Sequence, residues 1–137
     1  MTDYLVDNSV WARLATGDPA ITARLRRIER APSDLFVTCP PQVLEFCHSA
    51  RTPDEHLRYR DRITLGFPLE YAPEEGLVLA IQAVLWASGL VRAAGAVDIL
   101  IAAYAIVNEA TVLTADHDFD CIARVSDLRH EYVPPTS

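Results

Sequence analysis

The sequence predicts an α/β protein: a three-layer α/β/α domain with a mostly parallel central sheet. Three observations carry this. The apolar runs Tyr4-Leu5-Val6, Leu35-Phe36-Val37 and Thr111-Val112-Leu113-Thr114 lack polar alternation, the pattern of strands buried on both faces. Segments of helical periodicity separate these runs. Strands alternating with helices at this spacing build βαβ units, with helices on both sides of a parallel sheet. A chain of 137 residues holds one such domain, 1–137, with 133–137 expected as a C-terminal tail.

The elements follow in order. The first strand ends at Asp7. Asn8 or Ser9 caps a short helix carrying Val10, Trp11 and Leu14, which Gly17 stops. Asp18-Pro19 places a cap before a proline at the first helical position. It starts a second helix through Arg30, with Ile21, Leu25 and Ile28 at helical spacing. After the strand 35–37, Pro40-Pro41 opens a helix with Val43, Leu44, Glu45 and Phe46. Thr52-Pro53-Asp54-Glu55 is a capping box for an arginine-rich helix reaching about Leu65. Gly66 ends it, and Phe67, Leu69 and Tyr71 alternate as a short edge strand. Pro73-Glu74-Glu75 begins a long apolar helix to near Gly89, and another runs from about Ala96 to Glu109. Beyond the strand 111–114, Ala115–Asp120 is expected as an acidic loop, and Tyr132-Val133 as a last edge strand.

Composition excludes several function classes. All 12 basic residues are arginine. Without lysine there is no P-loop phosphate cradle, no Schiff base and no lysine general base. The net charge of −7 argues against a nucleic-acid binder that works by bulk positive charge, and leaves room for a cation site. Leu77–Val91 and Ala93–Val107 are apolar but only 15 residues each, short of the ~18–20 a membrane helix needs. No membrane partner is expected. Cys39, Cys47 and Cys121 have no CxxC spacing and suit free thiols in a reducing cytosol. No signal peptide is visible, so the expected compartment is the cytoplasm. His48, His56, His117 and His130 lack ligand spacing and are expected on the surface.

In parallel α/β sheets the ligand crevice lies beyond the C-terminal ends of the strands. Asp7 closes the first strand, and Asp116 and Asp118 follow the strand 111–114. Glu45 lies in the first turns of the helix after the strand 35–37, and Asp98 in the first turn of the helix after Gly95. Each also has an ordinary reading as a cap, a turn acid or a helix N-terminal acid. Asp98 fits that reading least well, as the one charge between Ala93 and Val107. A carboxylate in such surroundings costs several kcal/mol unless paired or metal-bound. Converging carboxylates raise one another's pKa, and oxygen-only ligands select a hard ion, Mg²⁺ or Mn²⁺. Such a site activates water and clamps phosphoryl oxygens, which suits phosphoryl transfer or phosphodiester hydrolysis.

Four motifs stand in order: Tyr4-Leu5-Val6-Asp7-Asn8-Ser9-Val10, Pro40-Pro41-Gln42-Val43-Leu44-Glu45, Gly95-Ala96-Val97-Asp98-Ile99-Leu100-Ile101-Ala102-Ala103 and Leu113-Thr114-Ala115-Asp116-His117-Asp118-Phe119. Together they resemble the PIN domain, and in length and motif placement the VapC-type toxins of bacterial type II toxin–antitoxin pairs. The resemblance spans nearly the whole chain. It implies a Mg²⁺- or Mn²⁺-dependent endoribonuclease that cleaves cellular RNA with metal-activated water, and is neutralised by a cognate VapB-type antitoxin. It implies that Asp7, Glu45, Asp98 and Asp116 form the catalytic, metal-holding quartet, with Asp118 as a further acid. It also implies that Ser9 supports the first acid and that the toxin forms a homodimer, and it puts Arg92 where relatives carry a basic residue, either for an RNA phosphate contact or as a solvated surface side chain. Trp11, Trp86 and Phe46 are candidates for partner contacts, with core packing the commoner use of such residues. The arginines at 24–30 and 58–62 are candidates for RNA backbone contacts, with a solvated helix face the alternative.

Two rivals lose ground. A phospho-acceptor receiver domain requires a lysine, and a haloacid-dehalogenase-like phosphatase requires both that lysine and an acid where Ser9 stands. The alternative from another class is a non-catalytic PIN-like module that binds protein or RNA. With the five site acids set aside, 14 acids remain against 12 arginines, so the surface outside the cleft is nearly balanced.

Overall fold

The strands anticipated from apolar runs assemble into one five-stranded sheet in the computed structural model, which describes residues 1–136. Ser137, the end of the expected tail, lies outside the described residues. In chain order the elements are β1 (Thr2–Val6), α1 (Asn8–Ala15), α2 (Pro19–Arg30), β2 (Asp34–Thr38), α3 (Pro40–His48) and α4 (Pro53–Ile63). They continue as β3 (Phe67–Pro68), α5 (Glu75–Ala87), α6 (Ala96–Val107), β4 (Thr111–Thr114), α7 (Asp120–Val125) and β5 (Arg129–Tyr132). The strand order is β3-β2-β1-β4-β5 and every pairing is parallel.

Alternation along each central strand divides the interior into two layers. Leu5, Val37 and Val112 face α5, α6 and α7, where they meet Ile81, Leu85, Ile101 and Ile122. Tyr4, Val6 and Leu113 face the other way, against Val10 of α1 and Ile21, Leu25 and Ile28 of α2. The chain therefore covers one face while building β1 to β3, and the other while building β4 and β5, as right-handed crossovers require. A smaller cluster of Phe46, Cys47 and Ile63 joins α3 to α4 and touches Trp11. Leu5 and Val112 are fully buried, and each such side chain contributes about 1.5–3 kcal/mol by leaving water.

The sheet order reverses between β1 and β4. This places the end of β1 beside the end of β4, the crevice where such folds bind ligands. One buried amide fixes the geometry there. Gln42, in the first turn of α3, donates from Nε2 to the Val6 carbonyl at 2.7 Å and accepts from the Cys39 amide at 3.3 Å. It thus ties the residue before Asp7 to the helix that carries Glu45. Gln42→Leu strands two buried backbone groups and is expected to destabilise the fold by about 2–4 kcal/mol, as read by urea denaturation.

Several expectations need correction. The acidic loop runs on into a short helix, α7, whose six residues are too few for periodicity to announce it. The last strand is Arg129–Tyr132, not Tyr132-Val133; its polar, half-exposed residues mark an edge and hide the strand pattern. The alternation at Phe67, Leu69 and Tyr71 yields only the two-residue β3, because Pro68 has no N–H to extend a ladder. Residues expected as tail are docked: Val133 is buried, and the Thr136 amide donates to Asp18 at 2.9 Å.

Candidate metal centre

Asp7 is placed by two local rules at once. It ends β1, so its backbone amide donates to the Leu113 carbonyl of β4 at 2.9 Å. It is also the N-cap of α1. Its Oδ2 takes the Ser9 hydroxyl at 2.6 Å and the Ser9 amide at 3.3 Å. Asp7 caps α1 and also stands at the carboxyl edge of the sheet, and it is only 6 % exposed.

Asp98 sits in the first turn of α6, a helix otherwise wholly apolar. Gly95 is its N-cap, and a Cβ there would lie 3.3 Å from Asp98 Oδ2, so glycine leaves the carboxylate its room. Glu45 projects from the middle of α3 and is half-buried. One carboxylate oxygen from each of Asp7, Glu45 and Asp98 lies within 4.8 Å of the other two. Three elements distant in sequence thus converge on one point.

Asp116 and Asp118 are neighbours of that cluster without joining it. Asp116 Oδ1 accepts from the Thr114 hydroxyl at 3.2 Å and from the Asp118 amide at 3.0 Å, an Asx-type turn. Asp116 is half-buried and Asp118 exposed. The sequence singles out five acids; three converge tightly and two form the rim on the β4 side. Arg92 is exposed and has a left-handed backbone, φ +58°, shortly before Gly95. A non-glycine residue held there is uncommon.

Two residues that sequence reasoning missed hold the acids. Thr114 is fully buried, and its hydroxyl stands 3.4 Å from Asp7 Oδ2 and 3.3 Å from Ser9 Oγ. Ser9 Oγ in turn accepts the Ala115 amide at 3.0 Å, so one hydroxyl links the first acid to the loop of the fourth. Gln42 is the other. A threonine ending an apolar strand and a glutamine at a helix start are both common, and neither draws notice alone.

The electrostatics of the cluster are adverse as it stands. Burial, then the charges of Asp7, Glu45, Asp118 and Asp116, push the Asp98 carboxyl up to about 7. Burial and the negative charges of Asp7, Asp116 and Asp118 raise Glu45. Burial also raises Asp7, against the Ser9 hydrogen bond and with a further push from Asp116. Asp118 is raised by burial and by Asp116, with His117 opposing. Among the described residues no arginine forms a salt bridge to any of these acids. Gathered acids that repel one another without such a partner fit a hard divalent cation on oxygen ligands. Ser9→Ala removes the shortest bond that orients Asp7. It is expected to weaken Mn²⁺ affinity about 10- to 100-fold, read from a thermal-shift titration.

A separate cavity of about 660 Å³ lies between α1, α2, α4 and the β2–β3 edge. Trp11, Leu14, Phe36, Phe46, Ile63 and Phe67 line it, with Arg26, Glu29 and Arg62 at its margin. The Trp11 Nε1–H is buried without an acceptor among the described residues. Phe46 is core, whereas Trp86 is 41 % exposed.

A parallel α/β/α domain whose carboxylates meet at the sheet's switch point defines a class of small domains able to hold a divalent metal. The chain belongs to the PIN domain family, whose model matches residues 4–125, a span that includes every acid of the site. It is 28% identical over 133 residues to Ribonuclease VapC11 of Mycobacterium tuberculosis, covering 91% of this chain and 95% of that protein. The VapC ribonuclease Mb1587 of Mycobacterium bovis is similar to the same degree and over the same shares. The fold resembles VapBC2 from Rickettsia felis bound to a fragment of promoter DNA, with a TM-score of 0.74 and 16% identity over 96% of this chain and 98% of that one. It also resembles VapBC-1 from nontypeable Haemophilus influenzae, with a TM-score of 0.70 and 20% identity over 96% and 98%. Among the described residues no helix is long and apolar enough to cross a membrane.

Proposed function

We propose that the chain is a divalent-metal-dependent endoribonuclease, the toxin of a toxin–antitoxin pair. The observation that carries this is the convergence of Asp7, Glu45 and Asp98 within 4.8 Å at the switch point of a PIN domain. Ribonucleases named VapC among its relatives support the choice of RNA.

Asp7, Glu45, Asp98 and Asp116 would hold the ion, with Glu45 also placed to orient the attacking water. Asp118 lies outside these as a further acid, and Ser9 fixes the Asp7 carboxylate. A bound Mg²⁺ or Mn²⁺ supplies charge neutralisation at the phosphoryl oxygens and a lowered pKa for water. Glu45 would take a proton from that water. The water oxygen would bond to phosphorus as the P–O3′ bond breaks, and O3′ would take a proton from solvent, leaving 5′-phosphate and 3′-hydroxyl ends. Arg92, exposed beside the Asp98 helix, contacts a backbone phosphate of the substrate.

A VapB-type antitoxin is the proposed protein partner. The structural neighbours named as VapBC support it. So does the Trp11 groove, whose lining is largely apolar. Leu79, Val84 and Trp86 of α5, with Leu44 and Val97, are exposed apolar residues that suit a homodimer contact. The test incubates single-stranded RNA with purified protein in Mg²⁺ or in EDTA and maps the ends. Cleavage confined to Mg²⁺ with 5′-phosphate products is expected. Cleavage that persists in EDTA, or that leaves cyclic phosphates, would falsify the reading.

A further inference from the structure

His117 lies between Asp116 and Asp118, and its imidazole does not point into the acid cluster's core. It stacks on Tyr132, with ring centroids 4.3 Å apart and planes 27° from parallel. Tyr132 ends β5 and pairs with Thr114, so the stack stands at the same carboxyl edge as the acids. The ring is also held at its rim. Asp120 Oδ2 meets His117 Nδ1 at 2.9 Å, while Asp120 Oδ1 meets His130 Nε2 at 3.1 Å. One carboxylate thus braces two imidazoles, yet 68 % of the His117 side chain remains exposed. Core packing does not account for an aromatic pair that is pinned in this way and still presents most of one ring to solvent.

We propose that His117 on Tyr132 is a stacking platform for an unpaired nucleobase next to the scissile phosphate. This rests on the ribonuclease reading above. Unpaired bases stack on histidine and tyrosine rings, and such contacts tolerate sequence because every base has a π-face. Bases inside a duplex are already stacked and cannot reach the ring. The bracing by Asp120 lowers the entropy lost when a base settles on it. Proximity to the acids follows from the chain: His117 is covalently next to both Asp116 and Asp118.

The test compares wild type, His117→Ala and His117→Phe. A fluorescein-labelled random-sequence single-stranded RNA and a random-sequence RNA duplex serve as probes, with binding read by anisotropy in Ca²⁺ and cleavage in Mg²⁺. His117→Ala is expected to weaken single-strand binding about 5- to 100-fold and to raise KM more than it lowers kcat. His117→Phe, which stacks but cannot bond to Asp120, is expected to stay within a few-fold of wild type. The Mn²⁺-induced thermal shift should be the same in all three. Equal binding by wild type and His117→Ala would overturn the proposal, as would an equal loss in both variants or wild-type preference for the duplex. A wild type that binds neither RNA overturns the ribonuclease reading itself, and is recognised because no variant then differs from it.

Discussion

Asp98→Asn is expected to lower Mg²⁺-dependent RNA cleavage by about 10²–10³-fold or more, while making the metal-free protein more stable at pH 8. The two effects have one cause. The carboxamide keeps the shape of the side chain but removes a negative ligand from the point where Asp7 and Glu45 converge. In the metal-free fold, burial and four acidic neighbours all oppose the Asp98 charge, and nothing nearby favours it. A tenfold change in a protonation equilibrium corresponds to about 1.4 kcal/mol, so relief of this repulsion makes a Tm gain of about 5 °C reasonable for a domain of this size. Function here opposes stability. Wild-type cleavage by the variant, or a lower Tm in EDTA, would contradict this pairing. Parallel rate and melting measurements on one preparation decide it.

The metal-free protein is expected to be more stable at pH 5 than at pH 8, and divalent metal to reverse much of that difference. Asp98 has its folded pKa raised from 3.8 to about 7. Between those values the folded state binds a proton that the unfolded chain has released, so stability falls as pH rises through the window. Asp7, Glu45 and Asp118 are raised as well and act with the same sign. The slope from Asp98 alone reaches about 1.4 kcal/mol per pH unit at most, because only one proton is involved. Protons compete with metal for the same oxygens, so Mn²⁺ should raise Tm more at pH 8 than at pH 5. Melting curves at both pH values, in EDTA and in Mn²⁺, give the four numbers needed. A metal-free Tm that climbs from pH 5 to pH 8 would mean the acids are not mutually strained.

Particular residues explain what can be anticipated from the sequence. Asp98 is conspicuous as a lone charge in an apolar segment, and Asp7 as the acid ending a buried strand. The buried-strand pattern of Tyr4–Val6, Leu35–Val37 and Thr111–Thr114 is enough to place three strands and the parallel sheet between its helices. Other features depend on three-dimensional contact. Gln42 matters only because Val6 comes within 2.7 Å of it. Thr114 matters because β4 lies beside β1, so that its hydroxyl reaches both Asp7 and Ser9. The Asp120 brace joins residues 117 and 130 across α7, a helix too short to show a period. Nor can spacing alone separate Asp116 and Asp118 from the three acids that converge, because the turn at 114–118 directs their carboxylates.

Whether Asp7, Glu45 and Asp98 together hold a divalent ion is read from a crystal of the protein grown at pH 8 and soaked in Mn²⁺, with the anomalous signal of manganese recorded. The expected result is a peak among those three carboxylates, with Asp116 as a further direct ligand and Asp118 outside it, and no such peak in Asp98→Asn. A soaked wild-type crystal with manganese elsewhere, or with the three carboxylates bonded to one another as protonated acids, would contradict it.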